Sequence, residues 1–197
     1  VVTSTRSSAV PSVDAVMENL LVSRWENRYT KGNSRKGGKI SKGGDSMQDY
    51  KTMISMCAEQ EEKFQFEHFS REDALKIGLK LHENAKEQPV AVEITVNGLV
   101  VFRYFAEGAK PDSELWLARK RNAVDLMETS SLRFFAELED AGETFADRKL
   151  DPNEYAAGGG FPIRLRGTGV IGSICVSGYP DHVDDHQLII NTLAEYF

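Results

Sequence analysis

The chain has 197 residues, of which 41% are hydrophobic and 27% charged, and its formal net charge is −6 at pH 7. This composition supports one domain with an apolar core and excludes a globally disordered chain. No apolar run reaches the roughly 18 residues that a membrane-spanning helix needs, so we expect no membrane association. Two cysteines, and N-terminal residues without the pattern of a secretory signal, predict a reduced, cytoplasmic protein with no metal site.

Charge is distributed unevenly along the chain. Residues 1–46 contain eight Lys and Arg against four Asp and Glu, which leaves the remaining residues with a net charge of −10. An acidic body argues against nucleic acid as a partner, because the phosphate backbone favours clustered cations. Within the basic segment, residues 12–25 predict a short amphipathic helix and residues 31–46 a flexible Gly/Lys-rich linker. We therefore expect a solvated extension over 1–46 and a single domain over 47–197.

The first elements of the domain are helical. Apolar periodicity predicts a helix over 48–63, and alternation predicts a brief strand over 64–66. Ser70 and Asp73 have the spacing of a capping box, in which each side chain satisfies a free amide of the other residue at the start of a helix. That helix places Ala74, Ile77, Gly78, Leu81 and Ala85 on one face.

A β-hairpin follows over 90–105. Residues 90–96 and 99–105 have strand character, and Asn97-Gly98 between them is a preferred two-residue turn because both positions need positive φ. We then expect helices over 112–127 and 131–140, with Lys120 lying along the first and its ammonium reaching water.

The last elements are a second hairpin and a helix. Strands are predicted over 161–165 and 170–176, and Asp184 is predicted to cap the C-terminal helix. Hairpins make antiparallel pairs, so the element order indicates an α+β domain in which helices flank an antiparallel sheet.

Residues 167–172, GTGVIG, match the dinucleotide-binding pattern of glycines literally. That pattern needs a helix after the glycines, whose amides bind the pyrophosphate. Here a β-type run follows, so we interpret the stretch as a hairpin turn with a further glycine inside a strand.

His182 and His186 are four residues apart, which could place two metal ligands on one helical face. A capping loop and a core-facing histidine explain the pair more simply.

Four blocks of the sequence resemble one family. They are EQEEKFQFEHFSREDALKIGLKL over 59–81, PVAVEITVNG over 89–98, DSELWLARKRN over 112–122, and the glycine-rich block over 151–190. Together they resemble the GlcG- and HbpS-like haem-degrading-domain family, specifically a small branch of unknown function. The resemblance covers 47–197 and implies a profilin-like, GlcG-like layered sandwich, usually assembled as a homo-oligomer. It also implies haem binding, with at most weak oxidative haem breakdown as an activity.

One motif departs from the family pattern. The family's glycine block reads Tyr-Ala-x-His-Gly-Gly before Phe-Pro-Ile, whereas this chain has Tyr155-Ala-Ala-Gly-Gly-Gly160, so the histidine is missing. If that histidine served as ligand or proton donor, this chain would lack it, which weakens the expectation of haem chemistry.

A ligand site remains predictable from the residues that are present. Gly158, Gly159 and Gly160 can bring backbone amides close to a ligand, and Arg164 is expected to face the same cleft. Arg119 and Lys120 offer further cations for a carboxylate. Tyr155 and His186 are the available axial ligands for haem iron. Each has a structural alternative: tight hairpin packing for the glycines, solvated helix charges for the cations, and a satisfied core position for His186.

Two functions compete on this basis. The first is a homo-oligomeric domain that binds haem or another small anionic molecule. The second is a non-catalytic oligomeric scaffold or adaptor that binds a protein partner, since no catalytic set is intact. A metal-free hydrolase or lyase using Tyr155 or His186 is a weaker third alternative.

Overall fold

The computed structural model describes residues 45–197, with side chains described from Tyr50 onward. The helix expected over 12–25 and the linker up to residue 44 lie outside the described residues. The described elements follow in chain order: α1 (Asp45–Lys63), α2 (Arg71–Ala85), β1 (Ala91–Val96), β2 (Leu99–Phe105), α3 (Ser113–Met127), α4 (Ser131–Ala141), β3 (Gly160–Leu165), β4 (Gly169–Ser177) and α5 (His182–Tyr196).

The four strands form one antiparallel sheet in the order β2-β1-β4-β3. Both expected hairpins are present, and Asn97 and Gly98 have φ of 50° and 76° at the first turn. The sheet is covered by helices, which confirms the α+β class. The central strands β1 and β4 connect the two hairpins, because a strand of each hairpin pairs with a strand of the other.

Helices α2 and α5 cover one face of the sheet, and the main core lies there. The capping box at the start of α2 is confirmed: Ser70 N donates to Asp73 Oδ2 over 2.7 Å, and Asp73 N donates to Ser70 Oγ over 3.2 Å. The largest buried side chains between these layers are Ile77, Leu81, Ile94, Phe161, Ile163, Ile174, Ile189 and Leu193. Alternation of apolar residues along each strand therefore decides which face meets α2 and α5.

The opposite face carries buried polar groups under α3. Glu93 on β1 is 1% exposed, and Arg103 of β2 and Arg121 of α3 both donate to its carboxylate. Beside it, the hydroxyls of Thr95 and Ser173 are 2.9 Å apart. The charge of Glu93 is tolerated in the interior because two guanidinium groups neutralise it.

The apparent dinucleotide motif is a hairpin turn, as expected. Gly167, between β3 and β4, has a φ of +71°, and Gly169, the first residue of β4, has a φ of +130°, so a strand rather than a helix follows. Gly172 lies inside β4, where an added Cβ would overlap the carbonyl oxygen of Thr95 on β1. Gly167 and Gly169 therefore allow a backbone with positive φ, and Gly172 allows β1 and β4 to approach closely.

Two local predictions are wrong. The C-terminal helix begins at His182 and is capped by Asp181, whose side chain accepts from Val183 N, rather than by Asp184. The expected strand over 64–66 is reduced to one parallel bridge between Phe66 and Leu165.

Among residues 45–197, no helix is long and apolar enough to cross a membrane.

Candidate functional site

A cleft of about 430 Å³ opens at the N-terminal end of α3. Asp112 and Trp116 line it on the α3 side, Ala157 on the side of the glycine-rich loop, and Tyr179 and His182 on the side of α5. The volume lies within the range of small-molecule sites, which is about 300–1,000 Å³. Parts of the chain that are distant in sequence thus meet at one concavity.

A buried ion pair forms the floor of this cleft. Lys120 Nζ donates to Asp185 Oδ2 over 2.6 Å and to the carbonyl oxygen of Val176 over 2.7 Å. Burial raises the pKa of Asp185, and the neighbouring ammonium and the backbone amide of Tyr179 partly offset that rise. The expectation that Lys120 reaches water is wrong, since only 3% of this residue is exposed.

The glycines of the 158–160 run lie directly behind the ion pair. An added Cβ on Gly159 would lie 2.6 Å from Asp185 Cβ and 2.8 Å from Lys120 Nζ. The amide of Gly160 already donates to Ser131 Oγ over 2.9 Å, and Gly159 O accepts from Val176 N over 2.7 Å. These contacts describe close packing around the pair, and amide contact with a ligand stays a prediction.

His182 is the imidazole that lines the cleft. An added Cβ on Gly158 would lie 2.5 Å from His182 Nδ1, so this ring occupies the space in which a side chain at position 158 would stand. Nδ1 is buried without a hydrogen-bond partner, and the Phe135 ring lies 5.0 Å away. Burial lowers the pKa of His182, which keeps its imidazole neutral.

His186 lies deeper in the core and is 1% exposed. Its Nε2 and Gln60 Oε1 are 2.9 Å apart, and because a carbonyl oxygen only accepts, Nε2 carries the proton. Nδ1 is then an unpartnered acceptor, and burial lowers the pKa of His186 to about 3. This geometry is that of a core histidine, the alternative that its apolar neighbours favoured.

The remaining predicted site residues are dispersed. Arg164 lines a different cleft of about 650 Å³ together with Arg133 and Thr168, and its Nη2 donates to Glu128 O over 2.6 Å. The expectation that Arg164 faces the cleft of the glycine loop is therefore wrong. Glu128 follows the C-terminal end of α3, whereas the rim of the first cleft lies at its N-terminal end. Tyr155 packs instead in a cluster with Phe145, their rings 5.9 Å apart.

Arg119 contributes to the cleft indirectly. Its guanidinium lies 4.8 Å from the centroid of the Trp116 ring, which lines the cleft. A cation over an indole face is held by the ring quadrupole. Among the predicted cations, Lys120 forms the floor and Arg119 supports a wall.

Sequence reasoning missed three residues that define this cleft: Trp116, His182 and Asp185. The spacing of His182 and His186 was a visible signal, but it was interpreted as a capping loop. Asp185 had no signal of its own, because its partner lies 65 residues away in the chain. Within the described part of the chain, no group of three or more His, Cys, Asp and Glu side chains could hold a metal ion.

The buried histidine predicts a pH-dependent stability. Unfolded His186 takes up a proton below about pH 6.5, while the folded residue stays neutral down to about pH 3, so stability falls as the pH falls through this window. From pH 7 to pH 5, we expect the free energy of unfolding to drop by about 2 kcal/mol more in the wild-type chain than in His186→Gln. Urea titrations at both pH values measure this difference, and equal pH slopes would contradict it.

Comparisons with known proteins agree with the fold. The family model described as "Haem degrading protein HbpS-like" matches residues 69–194. A UPF0303 protein of Yersinia pestis is 38% identical over 148 residues, which cover 73% of this chain and 85% of that protein. A UPF0303 protein of Yersinia enterocolitica is likewise 38% identical over 147 residues, covering 73% of this chain and 87% of that protein.

Solved structures share the architecture at lower identity. The Ybr137w protein matches with a TM-score of 0.68 at 24% identity, over 77% of this chain and 94% of that one. A double mutant of HbpS from Streptomyces reticuli matches with a TM-score of 0.55 at 19% identity, over 83% and 95%. A PduOC:heme complex matches with a TM-score of 0.51 at 21% identity, over 63% and 94%. At these identities the likeness establishes the fold.

Proposed function

Because this chain belongs to the HbpS-like family of haem-degrading proteins, we propose that its cleft binds a small molecule, with haem as the first candidate. The observation that carries the proposal is the neutral imidazole of His182 in the lining of the cleft, beside the glycine run. The PduOC:heme complex, which shares the fold, supports the choice of haem.

The position of His182 bears on the missing family histidine. The family motif places a histidine where this chain has Gly158, and here the ring of His182 lies against that glycine. An imidazole is therefore still available beside the glycine run, supplied by α5 instead of the loop. A neutral imidazole is a common ligand of haem iron. Because Nδ1 of His182 is buried against Gly158, its Nε2 would be the nitrogen that binds the iron, in place of Tyr155 or His186.

The charges of the cleft limit what it can recognise. Two lysines, Lys110 and Lys120, and two aspartates, Asp112 and Asp185, contribute to the lining. The lysine at the floor is already neutralised, so an acidic group of the ligand would meet Lys110 at the rim. Trp116 and the prolines at 89 and 180 provide apolar contact for a flat ring system.

A bound haem would supply redox chemistry at its iron, while the protein would bind and orient it. His182 would hold the iron, Trp116 would pack against the ring, and Lys110 would pair with a propionate. Lys120 and Asp185 at the floor are bound to each other, so the proposal is binding with at most slow oxidative breakdown.

A haemin titration followed in the Soret region tests this proposal. We expect a saturable band with one haemin per chain, and at least about tenfold weaker binding in His182→Ala. Tyr155→Phe is the matched control, because Tyr155 packs away from the cleft, and its affinity should equal that of the wild-type chain. A response that does not saturate, or that is unchanged in His182→Ala, would exclude haem binding at this site.

A second candidate function is a protein-binding scaffold. Exposed apolar residues on α2 and α3 favour it, including Leu79 and Leu115, which are 55% and 58% exposed. Both functions include self-association, so the haemin titration distinguishes them: a chain that does not bind haemin would support the scaffold.

A further inference from the structure

Strand β2 is an edge of the sheet whose outer side pairs with no other strand among residues 45–197. The opposite edge, β3, is partly closed by the bridge between Phe66 and Leu165. An open edge presents a row of unpaired backbone amides and carbonyls, which is a template for another strand.

The sequence of β2 lacks the usual protection of an edge strand. It reads LVVFRYF, without proline or lysine, and four of its side chains, Leu99, Val100, Tyr104 and Phe105, are 36–51% exposed. Its one charged residue, Arg103, is already bound by Glu93 and by Glu114 across 2.8 Å. A second β2 could therefore approach without like-charge repulsion, because the cation of each strand is neutralised within its own chain.

Helix α2 extends the apolar surface above this edge. Gly78 lies against the ring of Phe102, and the His82 ring is 4.6 Å from that of Tyr104, so this side of α2 lies over β2. Leu75 and Leu79 share the same stripe, since residues 75, 78, 79 and 82 recur at helical spacing. Both leucines are exposed, by 44% and 55%. Helix α2 and strand β2 thus both present exposed apolar side chains at the same edge of the sheet.

The spacing of the layers fits a two-fold axis at this edge. Paired strands lie about 4.8 Å apart, so an axis between two β2 strands would pass about 2.4 Å from each. Helix α2 contacts both β1 and β2. A helix that lies midway above these two strands would be about 5 Å from that axis, and two such helices would be about 10 Å apart, which is a normal distance for packed helices.

The charges along α2 are complementary under the same axis. Two antiparallel copies of α2 that cross at Leu79 would place residue 72 of one copy opposite residue 86 of the other. These residues are Glu72, in the first turn, and Lys86, at the C-terminal cap, and both are exposed. The leucines would form the centre of the contact, and an ion pair would lie at each end.

We propose that two copies of this chain associate through β2 and α2, forming a continuous eight-stranded antiparallel sheet. The strands supply backbone hydrogen bonds, and Leu75 and Leu79 of both copies close the helix layer above them. This interface is isologous, because each surface meets its own copy. It goes beyond ligand binding and assigns a surface to the self-association of the chain.

Sedimentation of the full chain tests the interface. We expect the wild-type chain to sediment as a dimer or a multiple of it, and Leu79→Lys to weaken this association at least about tenfold. Leu126→Lys is the matched control, since Leu126 is 48% exposed on the outer side of α3 and should leave the assembly unchanged. A monomeric wild-type chain, or equal association in both variants, would overturn the proposal.

Disulfide cross-linking provides a second test that does not depend on a disruptive substitution. Leu79→Cys should form a covalent dimer under mild oxidation, because the axis brings the two copies of residue 79 together, while Leu126→Cys should not. Cys57 and Cys175 are buried, and burial raises the pKa of each to about 12, so neither thiol should react in the background. Equal cross-linking of the two variants would exclude the two-fold axis at Leu79.

Discussion

Lys120→Met is expected to lower the free energy of unfolding by about 3–5 kcal/mol at pH 7. The substitution keeps the volume of the side chain but leaves the carboxylate of Asp185, which is 2% exposed, without its cation. Urea denaturation measures the loss. Lys110→Met, at the exposed rim of the same cleft, is the control and should change stability by less than about 0.5 kcal/mol.

A double variant separates the ion pair from the packing. Lys120→Met with Asp185→Leu removes both charges, so we expect it to be more stable than Lys120→Met alone. Losses that simply add would show that the two residues act independently, contrary to their 2.6 Å contact. The pair also holds the cleft together, because it joins α3 to α5 and to the carbonyl of Val176 on β4. We therefore expect haemin binding to weaken in Lys120→Met as well.

Gly172→Ala is the second substitution with a large expected effect, about 3 kcal/mol of lost stability. An added Cβ would overlap the carbonyl oxygen of Thr95 and lie 3.0 Å from Val96 Cα, and both are backbone atoms of β1 that can yield only by distorting the sheet. Thermal unfolding or urea denaturation measures the loss.

Gly167→Ala is the matched control from the same apparent dinucleotide motif. Its Cβ would meet open space, so the cost is the positive φ of +71°, about 1 kcal/mol. If both substitutions cost the same, the close approach of β1 and β4 would not be what requires glycine at position 172.

Local signals in the sequence were sufficient for the elements and their pairing. Asn97-Gly98 identified the first hairpin because positive φ at two successive positions is a property of those residues. The capping box of Ser70 and Asp73 depends on a spacing of three residues, and the absence of a helix after Gly172 excluded a dinucleotide site. The residues in each of these interactions lie within a few positions of one another in the chain, so the sequence predicts the interactions directly. The cap of α5 was misplaced by three residues because Asp181 and Asp184 are equally suitable side chains.

The sequence by itself determined the antiparallel α+β fold and the family, since both follow from local patterns and from blocks of residues in order. Only the tertiary structure decided the site. It paired Lys120 with Asp185, placed His182 beside Gly158, and separated Arg164 from the cleft. Each of these outcomes concerns residues from different elements. Which group pairs with a buried charge depends on which side chains the packed layers bring close to it. The spacing of residues along the chain does not predict such contacts, because they form only when the sheet and its helices pack together.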